Sequence, residues 1–338
     1  MIRTSFSFVS LLLVLSCFSV LLGLSLGAAN LSLAEVITAL FSSSSNGVTE
    51  QIVWQLRMPR TLLAFIAGAG LAVSGMVLQT VTRNPLADPY LFGVSSGASF
   101  AVVVAIVVFD LSFYSHHTTL TYSSLSLAAF AGSLSVIAIL LFVTRYQTDK
   151  HALVLAGVAL SFLFSAFTSL LLYFSDPQAI TAILFWTMGS FSRASPDNVG
   201  LAIGVLVVVL IVVHAYSHQL NAMMMGDETA VTVGVNPEKL RIVMLSISAL
   251  MTATLVAICG GIGFVGLIIP HIVRYFHAQG ANFHYLVCAL FGGIFMVFVD
   301  ILSRVVINNQ ELPIGIITAA IGSIFFLLLL TKNLKQQR

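Results

Sequence analysis

Residues 57–83 read RMPRTLLAFIAGAGLAVSGMVLQTVTR, and this stretch decides the fold. Between Arg60 and Arg83 there is no charged residue, and the uncharged run is as long as the ~20 residues a helix needs to cross a ~30 Å hydrocarbon core. A soluble core helix would alternate an apolar with a polar face, whereas here apolar and small residues occupy every side. Gly68, Gly70 and Gly75 at close spacing mark surfaces on which neighbouring helices can approach backbone to backbone. A membrane-spanning helix, packed among others, is the reading.

The pattern repeats along the chain. Long apolar runs fall at about 8–28, 61–80, 124–143, 152–174, 198–216, 241–259, 284–303 and 313–331. Two shorter ones, 93–109 and 264–278, are rich in glycine or broken by Pro270. About ten spans are therefore expected, in an all-α integral membrane protein with one transmembrane domain over 1–338. Of the 338 residues, 59% are hydrophobic and 8% charged, against roughly a quarter charged in soluble domains. The mean hydropathy of +1.05 leaves no polar stretch long enough to form a separate soluble unit. The N-terminal run after Arg3 is read as a first span, not a cleaved leader, because it is long and more spans follow. Residues 180–192 are too short to span and are expected to form a re-entrant or surface helix.

Ten spans put both termini on one side. With a cytoplasmic N-terminus, the inner side holds Arg3, Arg83, Arg145, Lys150, Lys239, Arg241, Arg274, Lys332, Lys335 and Arg338. The outer side holds Arg57, Arg60, Arg193 and Arg304. Ten against four follows the positive-inside rule, so both termini are expected in the cytoplasm. Outer arginines break that bias. Two readings compete: anchoring to lipid headgroups, and forked donors offered to the carboxylates of a docking protein. Asp300 and Glu311 flank the connection before the last span, where pairing with Arg304 or with solvent is expected.

The most polar inner loop covers about 217–240. It carries Met223, Met224 and Met225, then Gly226, Asp227, Glu228, Ala230 and Gly234. A solvated loop would look similar in composition. Methionines beside mixed charge, bounded by glycines, also fit a short helix that docks into a partner. No Gly-x-x-x-x-Gly-Lys-Ser/Thr phosphate loop is present, so ATP hydrolysis would have to come from another subunit.

Irregular backbone at membrane depth is tolerated where protein or a water-filled cavity covers it. Asn84, Pro85, Gly93 and Gly97 around one short span, and Gly263, Gly266 and Pro270 around the other, are therefore expected to line a pathway. Among the eight histidines, His214 and His218 have ligand-like spacing, but no acidic or cysteine partner completes a metal site. Cys17, Cys259 and Cys288 show no paired spacing. No cofactor and no nucleic-acid partner are expected. Two other classes find little support: an ion-coupled secondary transporter needs ionisable groups near the bilayer midplane, and an intramembrane enzyme needs a catalytic cluster there.

Several ordered motifs coincide with those of one family. They are RMPR at 57–60, GAGLAVSG at 68–75 with Gln79, RNPLADP at 83–89, GVSSGA at 93–98, LAG at 155–157, WTMG at 186–189, GFVGLIIPH at 263–271 with Arg274, and ELPIG at 311–315. Over nearly its whole length the chain resembles the FecCD-type permeases of bacterial ABC importers for ferric siderophores, haem and cobalamin. The resemblance implies a homodimer in the bacterial inner membrane, built like a cobalamin-importer permease of the type II class. Two cytoplasmic ATPase subunits, carrying ATP and Mg, would dock on the loop around Gly226, Ala230 and Gly234. A periplasmic binding protein would dock at Arg57, Arg60 and Arg304. The cargo it implies is a metal chelate, with a ferric siderophore first and haem, cobalamin or an oxyanion such as molybdate as alternatives. One departure concerns a cytoplasmic gate: Asp149, Lys150 and His151 stand where some relatives place small hydroxyl residues.

Overall fold

A computed structural model describes residues 2–27, 31–41, 47–109, 119–145, 150–276, 283–307 and 310–336. Those residues form helices joined by short links, with no strand among them. In chain order the helices are α1 (Ile2–Ser25), α2 (Leu33–Phe41), α3 (Val48–Gln51), a π-helical stretch (Ile52–Arg57), α4 (Met58–Thr82) and a 3₁₀ turn (Pro89–Phe92). Then come α5 (Val94–Val107), α6 (Thr119–Arg145), α7 (Lys150–Tyr173), α8 (Pro177–Thr187), α9 (Pro196–Ala215), α10 (Ser217–Met224) and α11 (Asp227–Thr232). Last are α12 (Pro237–Cys259), α13 (Val265–Phe276), α14 (His284–Val305) and α15 (Ile314–Gln336).

Among the described residues, seven helices are long and apolar enough to cross a membrane, and three shorter apolar ones, Val94–Val107, Val265–Phe276 and Ile314–Leu329, accompany them. The expected spans and these helices coincide, including the two short ones. The helix expected at 61–80 is longer than its apolar run, because α3 and the π-helical stretch lead into α4 without a break. The odd segment at 180–192 is α8, which buries Ile183 and Trp186 and is too short to cross.

Helix α4 sits at the centre. Its most apolar window is 89% buried, whereas that of α7 is 6% buried and faces outward. The reason is the small residues of α4. Gly68 lies against the Gly292 carbonyl of α14, and Gly75 against the Gly266 carbonyl of α13, so a Cβ at either position would collide with backbone. In lipid, where apolar burial gives little drive for helix association, such close backbone contact is what holds helices together.

The chain is interrupted twice, and the interruptions meet. After α4, Arg83 takes a left-handed conformation and the Asn84 side chain accepts from the Leu86 amide at 2.9 Å. Asp88 then caps the 3₁₀ turn by accepting from the Tyr90 amide at 2.7 Å. After α12, residues 260–264 are non-helical, with Phe264 at φ +69°. Tyr90 packs there: a Cβ on Gly261 would stand 3.0 Å from its hydroxyl and one on Gly263 3.5 Å from its ring. Both breaks are thus covered by protein, as unpaired backbone in a membrane must be.

Helix α1 ends, and the link into α15 begins, beside the N-terminal end of α4, since Leu24 accepts from Arg57 and Glu311 pairs with Arg60. The free ends of both terminal helices therefore lie at the other end of the bundle, where α4 finishes. Over 25 residues α4 is about 37 Å long, so the two ends are well separated.

Candidate functional site

At the start of α4, the three arginines expected where a binding protein docks are engaged within the chain. Arg57 is 7% exposed and Arg304 8% exposed. Arg57 Nη1 donates to the Leu24 and Ser25 carbonyls at 2.6 and 2.8 Å, and Arg304 Nη2 donates to the Gly23 carbonyl at 3.1 Å. These are the last carbonyls of α1, which have no partner within the helix and carry the negative end of its dipole. Two cations here cap a helix C-terminus.

Asp300 on α14 ties the third arginine to the same cluster. Its side chain is fully buried; Oδ1 accepts from Arg60 Nε at 2.8 Å and Oδ2 lies 2.9 Å from Arg304 Nη2. Arg60 Nη1 reaches Glu311 at 2.6 Å, and Glu311, about half exposed, is the acidic group of the cluster that meets solvent. In the single chain the donors of Arg57, Arg60 and Arg304 are directed at acceptors of that chain. Pairing of Asp300 with Arg304 was expected; its complete burial and its second partner Arg60 were not. Beside Glu311 a half-open cavity of about 210 Å³ is lined by Trp186, Ser190, Ser192, Arg193 and Pro313.

The far end of α4 carries a similar constellation with the opposite exposure. Asp227, the first residue of α11, bridges Arg83 and Arg241; Arg241 Nη2 lies 3.4 Å away. All three side chains are between a quarter and a third exposed. The turns around α11 need glycine, with Gly226 at φ +128° and Gly234 at φ +82°. Met223 and Ala230 anchor the segment in the core, while Met225, Val231, Val233 and Glu228 are exposed. The expected polar loop is thus two short helices, α10 and α11, presenting apolar side chains among charges at the end of a bundle. Such a surface suits association with another protein.

Between the two ends lies a site that the sequence marked only as irregular. Pro270 inside α13 has no N–H, so the Gly266 carbonyl four residues earlier lacks its helical donor. Gln79 of α4 supplies one: its Nε2 donates to Gly266 O at 2.9 Å, and its Oε1 accepts from Arg274 Nη1 at 2.7 Å. The amide orientation follows from these partners, since a carbonyl needs a donor and a guanidinium an acceptor. Two signals could have pointed to this pair: a proline within a helix implies an orphaned carbonyl, and a glutamine in an apolar span requires partners.

The glycines expected along a pathway are placed at helix contacts instead. Gly97 meets Gly132 of α6, and Gly266 meets Leu71 and Gly75 of α4. Gly93, Gly97, Gly266 and Pro270 are buried within the chain and Gly263 lies against Tyr90, so within the single chain the absence of a side chain serves packing. Asn84 and Pro85 form the turn that follows α4. Lys150 and His151 begin α7, but their side chains lie outside the described residues, as do His116, His117 and His277 altogether. His214 Nδ1 is hydrogen-bonded to the Tyr285 hydroxyl at 2.7 Å. Among the described residues no three metal-ligating side chains come together.

A bundle of membrane-crossing helices around a small-residue axis, broken where two interruptions interlock and ending in a helical platform, defines a multi-pass α-helical membrane protein. The chain belongs to the FecCD transport family, whose model matches residues 11–332. It is 35% identical over 323 residues to the hemin transport system permease protein HmuU of Yersinia pestis, covering 93% of each chain. The vitamin B12 import system permease protein BtuC of Yersinia enterocolitica is 37% identical over 281 residues, 83% of this chain and 82% of that one. A solved structure described as an inward-facing conformation of a metal-chelate type ABC transporter superposes with a TM-score of 0.82 at 31% identity, over 96% of this chain and 99% of the other.

Proposed function

We propose that this protein is the permease subunit of a binding-protein-dependent ABC importer that carries a metal chelate, a ferric siderophore in the first instance, across a bacterial inner membrane. The observation that carries the reading is the membership of nearly the whole chain in the FecCD transport family, together with an exposed platform, α10 and α11, at one end of the bundle. The positive-inside bias puts that platform and both termini in the cytoplasm. Two ATPase subunits, which bind ATP and Mg, dock there, and a second copy of the chain completes the pathway. A binding protein delivers cargo at the Arg57 end, where Glu311 and the cavity beside it are open to solvent. The named cargoes of the relatives, hemin and vitamin B12, are themselves metal chelates, which supports the chemical class and keeps haem and cobalamin as alternatives to the siderophore.

The test is reconstitution in vesicles with the partner ATPase and binding protein, and uptake of a panel of ferric siderophores, haem, cobalamin and molybdate. ATP-dependent uptake of a siderophore is expected, abolished when the ATPase is catalytically inactive. Uptake that persists with the inactive ATPase would overturn the importer reading. Transport of haem or cobalamin alone would overturn the siderophore assignment and keep the class.

A further inference from the structure

Gln79 lies in the last turn of α4, and Arg83, four positions on, caps the end of that helix in a left-handed conformation. Arg83 pairs with Asp227 of α11, and Arg241 fastens the same carboxylate while its Nε donates to the Val81 carbonyl at 3.4 Å. Gln79 turns the other way along the molecule. It is 3% exposed and holds both the carbonyl freed by Pro270 and the guanidinium of Arg274, one turn beyond the proline. The Gly266 carbonyl is pressed against Gly75, which leaves little room for water to take over the bond. Helix α13 begins at the break where Gly263 meets Tyr90 and the Phe264 ring fills the space left by Gly322 of α15.

We propose that Gln79 is a positioning residue, through which the docking helix α11 and the proline-interrupted helix α13 move as one unit with the end of α4. Motion imposed on α11 is passed by Arg83 to the last turn of α4. Gln79 passes it to α13 at the two places where a proline-broken helix is most easily bent, the unpaired carbonyl and the turn after the proline. Helix α13 then delivers it to the interlocked breaks in the middle of the bundle. This inference rests on the reading of α11 as the ATPase platform, and it adds the residue that transmits the movement.

Its test is a double-mutant cycle between Gln79 and Pro270, read in two ways. P270A restores an N–H to the backbone at position 270, so the Gly266 carbonyl regains a helical donor and depends less on Gln79. In the permease alone, Q79L is expected to lower the midpoint of thermal unfolding in detergent, and to lower it less in the P270A background. Equal shifts in both backgrounds would overturn the assignment of Gln79 to the freed carbonyl, whatever the protein transports. In the reconstituted importer, Q79L is expected to raise the ATP hydrolysed per chelate imported several-fold. Q79E, which keeps an acceptor for Arg274 and loses the donor to Gly266, is expected to fall between Q79L and the unmodified chain. Should Q79L fail to accumulate, Q79E carries the test. An unchanged ratio of ATP to cargo in folded Q79E and Q79L would overturn the transmission role. Uptake independent of ATP in every variant would instead defeat the reading of α11, leaving the unfolding cycle to decide the structural link.

Discussion

Asp300 and Asp227 do the same thing at opposite ends of α4: each carboxylate lies between two arginines contributed by different parts of the chain. Asp300 is wholly buried, and one of its arginines, Arg304, also joins Arg57 in closing off the end of α1. Asp227 is about one-third exposed and sits on a six-residue helix bounded by glycines. Burial decides what each can do. In a low-dielectric surrounding an ion network is costly to disrupt, because whichever charge is left behind has no water to solvate it. Near solvent the same geometry is screened and nearly free to rearrange. One end of the molecule is a lock, and the other is a joint.

The comparison can be broken most forcefully at Asp300. D300N leaves Arg304 buried without its counter-charge and Arg60 with Glu311 alone, and should cost about 3–5 kcal/mol, read as a large fall in the yield and unfolding temperature of the purified permease. A near-normal unfolding temperature would mean that the buried network is not a lock. Simultaneous reversal of Arg57, Arg60 and Arg304 is a poor probe of docking for the same reason, since it removes the fold with the charge.

A smaller effect is expected from R57A, which strips a cap from α1 and leaves the Asp300 network in place; about 1–2 kcal/mol is the scale for a cation at a partly buried helix terminus. Amide exchange at the end of α1 should increase locally, and unchanged protection there would count against the capping role. The smallest effect on stability belongs to D227N, below about 1 kcal/mol and reduced further by added salt. Its consequence should appear in ATPase coupling. If salt shifted the unfolding of the D300N and D227N variants equally relative to the unmodified chain, the distinction between a buried and an exposed end would fail.

Much of the architecture was legible in the residues. The two short spans at 93–109 and 264–278 stood out because their apolar length, the glycines of the first and Pro270 in the second are local properties. So was the platform at 217–240, since methionines, mixed charge and glycines in an otherwise apolar chain are visible without a partner in view. The outer arginines were legible only as an anomaly. A cation on the wrong side of the membrane needs an acceptor, and the sequence cannot say whether that acceptor belongs to another protein or to carbonyls of its own chain. Here Leu24 and Gly23 lie 33 and 281 residues from the arginines that cap them. The contacts of the glycines were illegible for a related reason: a missing side chain permits both a pathway wall and a close contact, and only the neighbour shows which contact is made.

The residues by themselves determined that this chain crosses a membrane many times, where it does so and which end is rich in positive charge, because each of these depends on composition within a single stretch matched to the bilayer. The tertiary structure alone decided which charges are locked and which are free, and that Gln79 answers the carbonyl orphaned by Pro270. Those pairings join residues far apart in the chain. Hydrogen bonds and ion pairs are set by ångström-scale distances between groups that only the packing of α4 against α1, α13 and α14 brings together.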